Sequence, residues 1–317
     1  KGLQSVGAGA TGYITSAAGG TQFIAAGGTG IITTGLGATQ NVNGIGIITS
    51  HNSGYQIINN DGIGTAIIFN GGTQSILSGG KATIHTFLSG LQSVAAGGSA
   101  VIDVSMGANA TATNNGILTM LTSAGVAVVS VAGAIDGTGT LSIGKGSVSM
   151  ATAIPKIKQA KVEIIDGGEL TAKAEKFDDV TGDVTVDEGG KLVLEEDSTL
   201  GHEIKGETGT TEIKNQKTIA NNIIHTLINI KSGATLDVKN GAYLANMVTN
   251  DGKLYIDSGI IGVTSPLMEI KGTGETIIEA RNGQDGIVNN SNNIKITQNK
   301  LTIESTGQLT TEVDRLI

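Results

Sequence analysis

The chain has 317 residues, among them 49 glycines, two prolines, no cysteine and no tryptophan, with 3% aromatic residues and a formal net charge of −8. So little aromatic bulk argues against an ordinary globular enzyme core, which draws on large side chains. The negative balance argues against nucleic acid as the main partner, and the lack of cysteine fits an exported chain that stays unfolded during passage.

The first stretch, residues 2–108, repeats one statement six times. Gln recurs at Gln4, Gln22, Gln40, Gln56, Gln74 and Gln92, at spacings of 18, 18, 16, 18 and 18. Two residues after each stands a β-branched apolar residue: Val6, Ile24, Val42, Ile58, Ile76 and Val94. Ten residues after most of them stands Ile14, Ile32, Ile84 or Ile102. The third copy reaches Ile48 after eight, which places its two missing residues in the turn between. The fourth has Ala66 at that offset and Ile68 two further on. Paired glycines such as Gly27-Gly28 and Gly79-Gly80 punctuate the copies.

A short fixed period means stacked supersecondary units, since one copy alone buries nothing. Each copy reads as two short strands joined by glycine turns, each strand pairing with its equivalent about 4.8 Å above and below. Some 18 residues at about 3.3 Å each give a closed coil with a perimeter near 60 Å. That suits a three-sided, right-handed, single-stranded parallel β-helix, an all-β solenoid. At about 19 residues per coil the whole chain would make about 16–17 coils. Gln shares the parity of the Val or Ile two residues later. This predicts a ladder of Gln amides along the interior edge of the first face, each bonded to the next.

The chain divides into three regions. Residues 1–109 are the regular array and carry almost no charge. Residues 110–160 read as irregular coils: Asn109–Asn115 looks like a turn, strands are expected at Ile117–Leu121, Val126–Val131 and Thr140–Ile143, and Pro155 marks a break in pairing. Residues 161–317 hold 15 Lys plus Arg and 25 Asp plus Glu, and read as further coils continuous with the first part. Their looser repeat closes on Gly-x-Leu at Leu170, Leu192, Leu254 and Leu309. Unequal intervals predict loops leaving the coil around Phe177–Thr181, His202–Gly209 and Asn282–Asn293. No apolar run spans a membrane; Val126–Ile135 is too short and contains Gly133. The chain opens at Lys1-Gly2-Leu3 inside a repeat, without a signal peptide, and stops at Ile317 without a cap, so it reads as a fragment of a longer protein.

The segments Gly20-Thr21-Gln22-Phe23-Ile24-Ala25-Ala26-Gly27-Gly28, Gly72-Thr73-Gln74-Ser75-Ile76-Leu77-Ser78-Gly79-Gly80 and Gly90-Leu91-Gln92-Ser93-Val94-Ala95-Ala96-Gly97-Gly98 carry a resemblance. They resemble the strand-loop-strand repeats of AIDA-type self-associating autotransporter adhesins, over about the first third of the chain. The resemblance implies the passenger of a Gram-negative autotransporter, displayed at the cell surface and exported through the outer membrane by a barrel domain not present in this chain. It further implies adhesion, autoaggregation and biofilm formation, with other copies between cells and a host-cell surface or matrix as partners. A heptosyltransferase would modify loop hydroxyls, of which Ser16, Thr34, Ser78 and Ser89 are candidates. No cofactor and no enzymatic activity are implied.

Catalytic signals are sparse. The histidines His51, His85, His202 and His225 are scattered, form no metal or triad motif, and read as surface or loop residues. No phosphate-binding loop is present. The sharpest enzymatic pattern is Asp166 and Glu188, each four residues before a Gly-x-Leu leucine, which places the two one coil apart. Two carboxylates about 5 Å apart can serve retaining glycoside hydrolysis, and only Phe177 is close enough in sequence to offer a sugar platform. A polysaccharide-active β-helix enzyme is therefore the alternative reading, and an inert structural stalk is a third.

Overall fold

In a computed structural model, residues 2–151, 156–206, 208–214, 217–239, 242–257, 260–261, 269–279, 287–289, 295–304 and 308–310 are described. The chain is a parallel β-solenoid of about 14 turns, and its contacts group into two units, Lys1–Val162 and Glu163–Ile317.

Each coil of the first unit has three faces. The first is the Gln strand: Leu3–Val6 pairs in parallel with Thr21–Ile24, and the series continues through Ala38–Val42, Gly54–Ile58 and residues 73–76, 91–94 and 111–114. The second face holds residues 11–14, 29–32, 45–48, 63–66, 81–84 and 99–102. A corner at residues 15, 33, 49, 67 and 85 then turns the chain into the third face, beginning at Ser16, Thr34, Ser50, Ile68 and Thr86. The short third copy loses its two residues where expected. Two residues, Asn43-Gly44, separate its first two faces, against four, Ala25–Gly28, in the coil before.

Pleating turns alternate residues inward, and the period turns them into columns. Val6, Ile24, Val42, Ile58, Ile76 and Val94 form one buried column, and Ile32, Ile48, Ala66, Ile84 and Ile102 another. Ala66 therefore fills the isoleucine column, while Ile68 faces outward at 40% exposure. Each fully buried Val or Ile contributes about 1.5–3 kcal/mol, which a core of this kind needs because aromatic bulk is missing.

The Gln ladder forms as expected. Nε2 of Gln22, Gln40, Gln56, Gln74 and Gln92 donates to Oε1 of the preceding Gln at 2.6, 2.7, 2.8, 2.7 and 2.8 Å. All five donors are fully buried. The second hydrogen of Gln22, Gln40 and Gln56 reaches the carbonyl of Gly12, Gly30 or Gly46 across the coil. The position must be small: a Cβ on Gly30 would crowd the Ile24 side chain and Gln22 Oε1. The column facing the amides is accordingly Gly12, Gly30, Gly46, Gly64, Ala82 and Ala100. In the next coil that position is Leu118 and the Gln position is Ala112. Gln92 Oε1 is left buried without a partner, so the ladder stops where a large side chain takes its space.

His51 departs from the surface or loop position expected of it, while His85 is on the surface and His202 and His225 lie outside the strands. His51 is fully buried on the third face, in line with Phe69 and Phe87 at 18-residue intervals. Its ring stacks on Phe69 with centroids 4.6 Å apart, and Phe69 meets Phe87 edge-on at 5.5 Å. His85 Nδ1 lies 2.8 Å from Oδ1 of Asp103, and His225 Nε2 lies 2.8 Å from Oε1 of Glu203. Coil stacking brings together what sequence distance separates.

Beyond residue 105 the coil length varies, from 17 residues between Thr211 and Ile228 and 18 between Leu236 and Leu254 to longer turns elsewhere. Gln92 pairs with Ala112 and Ala112 with Ile135, intervals of 20 and 23 residues; Leu254 pairs with Thr276 and Thr276 with Leu301, intervals of 22 and 25. The number of turns is therefore lower than the 16–17 expected from a 19-residue coil. Asn109–Asn114, expected as a turn, is instead strand in register with residues 89–94; the ladder above it outweighs the turn preference of Asn. Within His202–Gly209, expected as a loop leaving the coil, Ile204–Lys205 instead pairs with Val184-Thr185. Residues Ala174–Phe177 form a 3-10 turn with Phe177 fully buried. In the second unit Leu170 pairs with Leu192, so these two Gly-x-Leu leucines stack, and Leu254 stacks on Leu236. Pro155, Gly307 and most of Asn282–Asn293 lie outside the described residues.

Candidate functional site

Outward positions form columns as regular as the inward ones. At the start of the third face Ser16, Thr34 and Ser50 stack directly, and the column goes on through Ile68, Thr86, Ser105, Ser130 and Ser149. Thr15, Thr33 and Thr49 stand beside the first three at the corner. Six hydroxyls thus share one corner over three coils. Ser16 and Thr34, two of the candidate acceptors, are neighbours in this column. Ser78 is exposed in a turn between the first and second faces. Ser89 lies on the third face and donates to Asn70 Oδ1 of the preceding coil at 3.0 Å. The four candidates therefore sit at three different places around the coil.

Asp166 and Glu188 occupy exposed turns. Glu169 pairs with Lys191 in the register, and the same 22-residue interval separates Asp166 from Glu188. Gly167 donates to Gly189 O at 3.3 Å between the two turns. The ring of Phe177 is fully buried and so offers no sugar platform.

The second unit carries its charges as ladders between coils. Lys191 bridges Glu169 at 2.9 Å and Glu212 at 3.5 Å, and Lys231 reaches Glu212 at 3.3 Å. Burial works against the Lys191 charge, but the carboxylates of Glu169 and Glu212 outweigh it and raise its pKa above the ordinary lysine value. A second ladder runs from Lys217 to Asp237 (2.7 Å), Lys239 (3.2 Å) and Asp257 (3.5 Å). The carboxylates of Asp237 and Asp257 are buried, so their lysine partners chiefly offset the cost of taking those charges out of water. A shallow groove of about 510 Å³ lies against Asp251, Lys253, Thr273, Glu275, Asn299 and Lys300.

Sequence reasoning missed a polar device that occurs once in each unit. Asn114 is buried; its Nδ2 donates to Gln159 Oε1 at 2.7 Å and its Oδ1 accepts from Gly116 N at 3.1 Å. Asn115 Oδ1 accepts from both N and Oγ1 of Thr138 in the next coil. In the second unit Asn250 donates to Gln298 Oε1 at 2.9 Å and accepts from Gly252 N, while Asp251 Oδ1 takes N and Oγ1 of Thr273. The signal is visible as Thr-Asn-Asn-Gly at residues 113–116 and Thr-Asn-Asp-Gly at 249–252, each matched one coil later by Gly-Thr-Gly.

Among the described residues no group of three or more His, Cys, Asp or Glu side chains could hold a metal ion, and no helix is long and apolar enough to cross a membrane. No protein-family model matches the chain, and no curated protein matches it. Among solved structures it is similar to a hyper-glycosylated fragment of TibA, modified by TibC, at 16% identity and a TM-score of 0.23, over 97% of this chain and 94% of that one. A likeness with so low a score assigns no function, which must come from this chain's own residues.

Proposed function

We propose that this chain is a surface-exposed passenger of a Gram-negative autotransporter, and that it acts in adhesion and self-association rather than as an enzyme. The observation that carries this reading is the outside of the first unit, where one short segment, repeated in register, sets columns of Ser, Thr, Asn and exposed apolar residues along a surface with almost no charge. Each outward hydrogen bond or small apolar contact is worth about 1 kcal/mol or less net, but repetition over coils and over many displayed molecules turns weak contacts into avidity. Other copies on neighbouring cells are the primary partner, with host-cell surface or matrix a further one. Ser16, Thr34, Ser78 and Ser89 are the proposed heptose acceptors.

The test is display on non-aggregating cells, mixed with cells of a second colour that lack the chain. Clumps of the displaying colour alone support homotypic adhesion and lead on to biofilm assays; clumps of both colours indicate a different receptor, and dispersed cells overturn the reading. Intact mass of the natively expressed protein reports heptose increments. The polysaccharide-active alternative rests on Asp166 and Glu188, and requires an activity that Asp166→Asn or Glu188→Gln abolishes.

A further inference from the structure

The polar device that occurs once in each unit supplies an internal comparison. Thr113-Asn114-Asn115-Gly116-Ile117-Leu118, Gly137-Thr138-Gly139-Thr140 and Gln159-Ala160-Lys161-Val162 in the first unit match Thr249-Asn250-Asp251-Gly252-Lys253-Leu254, Gly272-Thr273-Gly274-Glu275 and Gln298-Asn299-Lys300-Leu301 in the second. The framework bonds are the same. Asn114 donates to Gln159 Oε1 and Thr140 O, and Asn250 to Gln298 Oε1 and Glu275 O. Thr138 donates twice to Asn115 Oδ1, and Thr273 twice to Asp251 Oδ1. Joining the coils therefore needs one side-chain oxygen at this position, which an amide supplies as well as a carboxylate. Five of the fourteen matched positions differ. One sets Val162 against Leu301. The other four set Asn115 against Asp251, Ile117 against Lys253, Thr140 against Glu275 and Ala160 against Asn299, and all four second-unit residues line the groove of about 510 Å³. The framework is thus kept while the groove is furnished with polar and charged groups that the framework does not use.

We infer that this groove of the second unit binds a neutral saccharide. Its volume falls within the about 300–1,000 Å³ of small-ligand sites. The carboxylates of Asp251 and Glu275 balance the ammonium groups of Lys253 and Lys300, which favours a neutral ligand over an ionic one. With the Asn299 amide they offer both acceptors and donors, as a polyol requires. Asp251 is oriented in advance: Thr273 N and Oγ1, each at 3.0 Å, hold its Oδ1, which leaves Oδ2 to accept from a ligand hydroxyl. The same two bonds, the backbone one first, keep its pKa below the ordinary carboxylate value, so the group is charged at neutral pH. Lys300 is held by Glu275 at 2.5 Å. Gly252 and Gly274 form part of the lining, where a Cβ would crowd backbone oxygens of the preceding coil. A lining without side chains lets a sugar ring lie close to the backbone. The groove is shallow and none of its lining residues is aromatic, so a single site binds in about the millimolar range. It needs no contact between copies and stands apart from the self-association reading.

Saturation-transfer NMR on the purified full chain tests this, with glucose, galactose, mannose, N-acetylglucosamine, lactose and maltotriose as neutral probes and sialyllactose as an anionic one. Comparing lactose with galactose, and maltotriose with glucose, separates a free sugar from the end of a longer chain. The variant Asp251→Asn/Lys253→Ile/Asn299→Ala gives the groove the residues that stand at the matching positions of the first unit, where the same framework holds. A second variant, Asn299→Ala alone, leaves the bonds to Asp251 intact, and Asp166→Asn, in an exposed turn, is the control. Thermal unfolding checks that each variant folds as wild type does. The expected result is transfer to at least one neutral saccharide, weakened about tenfold or more by the triple variant and about threefold or more by Asn299→Ala, and unchanged by Asp166→Asn. No transfer to any neutral probe, transfer to sialyllactose alone, or transfer that both groove variants leave intact overturns the site.

Discussion

Gln40 Nε2 donates to Gln22 Oε1 at 2.7 Å across 18 residues of chain, and Gln56 Nε2 returns the same bond to Gln40 at 2.8 Å. Replacing Gln40 by Leu leaves Gln22 Oε1 buried without this donor and removes one acceptor from Gln56. An orphaned buried group costs about 1–3 kcal/mol, so Gln40→Leu should destabilise the first unit by about 2–4 kcal/mol. Gln4→Leu, at the half-buried end of the ladder, should cost about 1–2 kcal/mol. Denaturant midpoints of the two variants, measured side by side, check the ordering.

The ladder's other end makes a pairwise prediction. Ala112 takes the place after Gln92 in its column, and Leu118 faces Ala112 where glycine or alanine faces every Gln. Ala112→Gln alone should overpack the seventh coil and cost about 1–3 kcal/mol. Adding Leu118→Ala should recover that loss, because the new amide then satisfies Gln92 Oε1. A double-mutant cycle that finds the two changes additive would contradict the packing account.

His51 makes the first unit sensitive to acid. Burial holds its imidazole pKa below the ordinary 6.5, countered in part by the backbone of Gly54. Above about pH 6.5 both folded and unfolded chains carry a neutral ring, and pH exerts no leverage here. Below it the unfolded chain takes up a proton that the folded chain resists, so stability falls as pH drops from about 6.5 toward the lower folded value. His51→Phe, extending the Phe69 and Phe87 column, should flatten that slope. Unfolding midpoints between about pH 7 and pH 5 compare the two proteins.

The paired polar devices predict opposite outcomes at adjacent residues. Asn114→Asp removes the donor that serves Gln159 and Thr140 O, inside the coil, and should cost about 3 kcal/mol or more. Asn115→Asp should stay within about 0.5 kcal/mol, because Asp251 makes the equivalent two bonds to Thr273. Thermal unfolding of the two single variants tests this directly.

The Gln period makes the coil, its parity and the amide ladder legible, because all three depend on spacing alone. The burial of His51 is not legible from one histidine, which carries no pattern, although its 18-residue intervals to Phe69 and Phe87 can be counted. Asn109–Asn114 reads as a turn because Asn and Thr favour turns locally, whereas the strand above supplies the pairing. The turn count comes out too high because some later coils, such as those from Ala112 to Ile135 and from Thr276 to Leu301, stretch beyond the period of the first six. Inward and outward isoleucines such as Ile48 and Ile47 look alike in sequence, and only register separates them. Hydroxyl acceptors are the least legible, since Ser and Thr recur at many outward positions and spacing does not single out one.

The fold requires like residues to lie one above another, and the absence of cysteine makes that directly measurable. Ser75 and Ser93 are register partners in adjacent coils, and Thr113 is the next in that column. Neighbouring strands lie about 4.8 Å apart, within the Cα range of a disulfide, and two coils span about 9.6 Å, beyond it. Under mild oxidation Ser75→Cys/Ser93→Cys should form an intramolecular disulfide nearly completely, and Ser75→Cys/Thr113→Cys should not. Cross-linking of the second pair in preference to the first would contradict the stacked register and everything built on it.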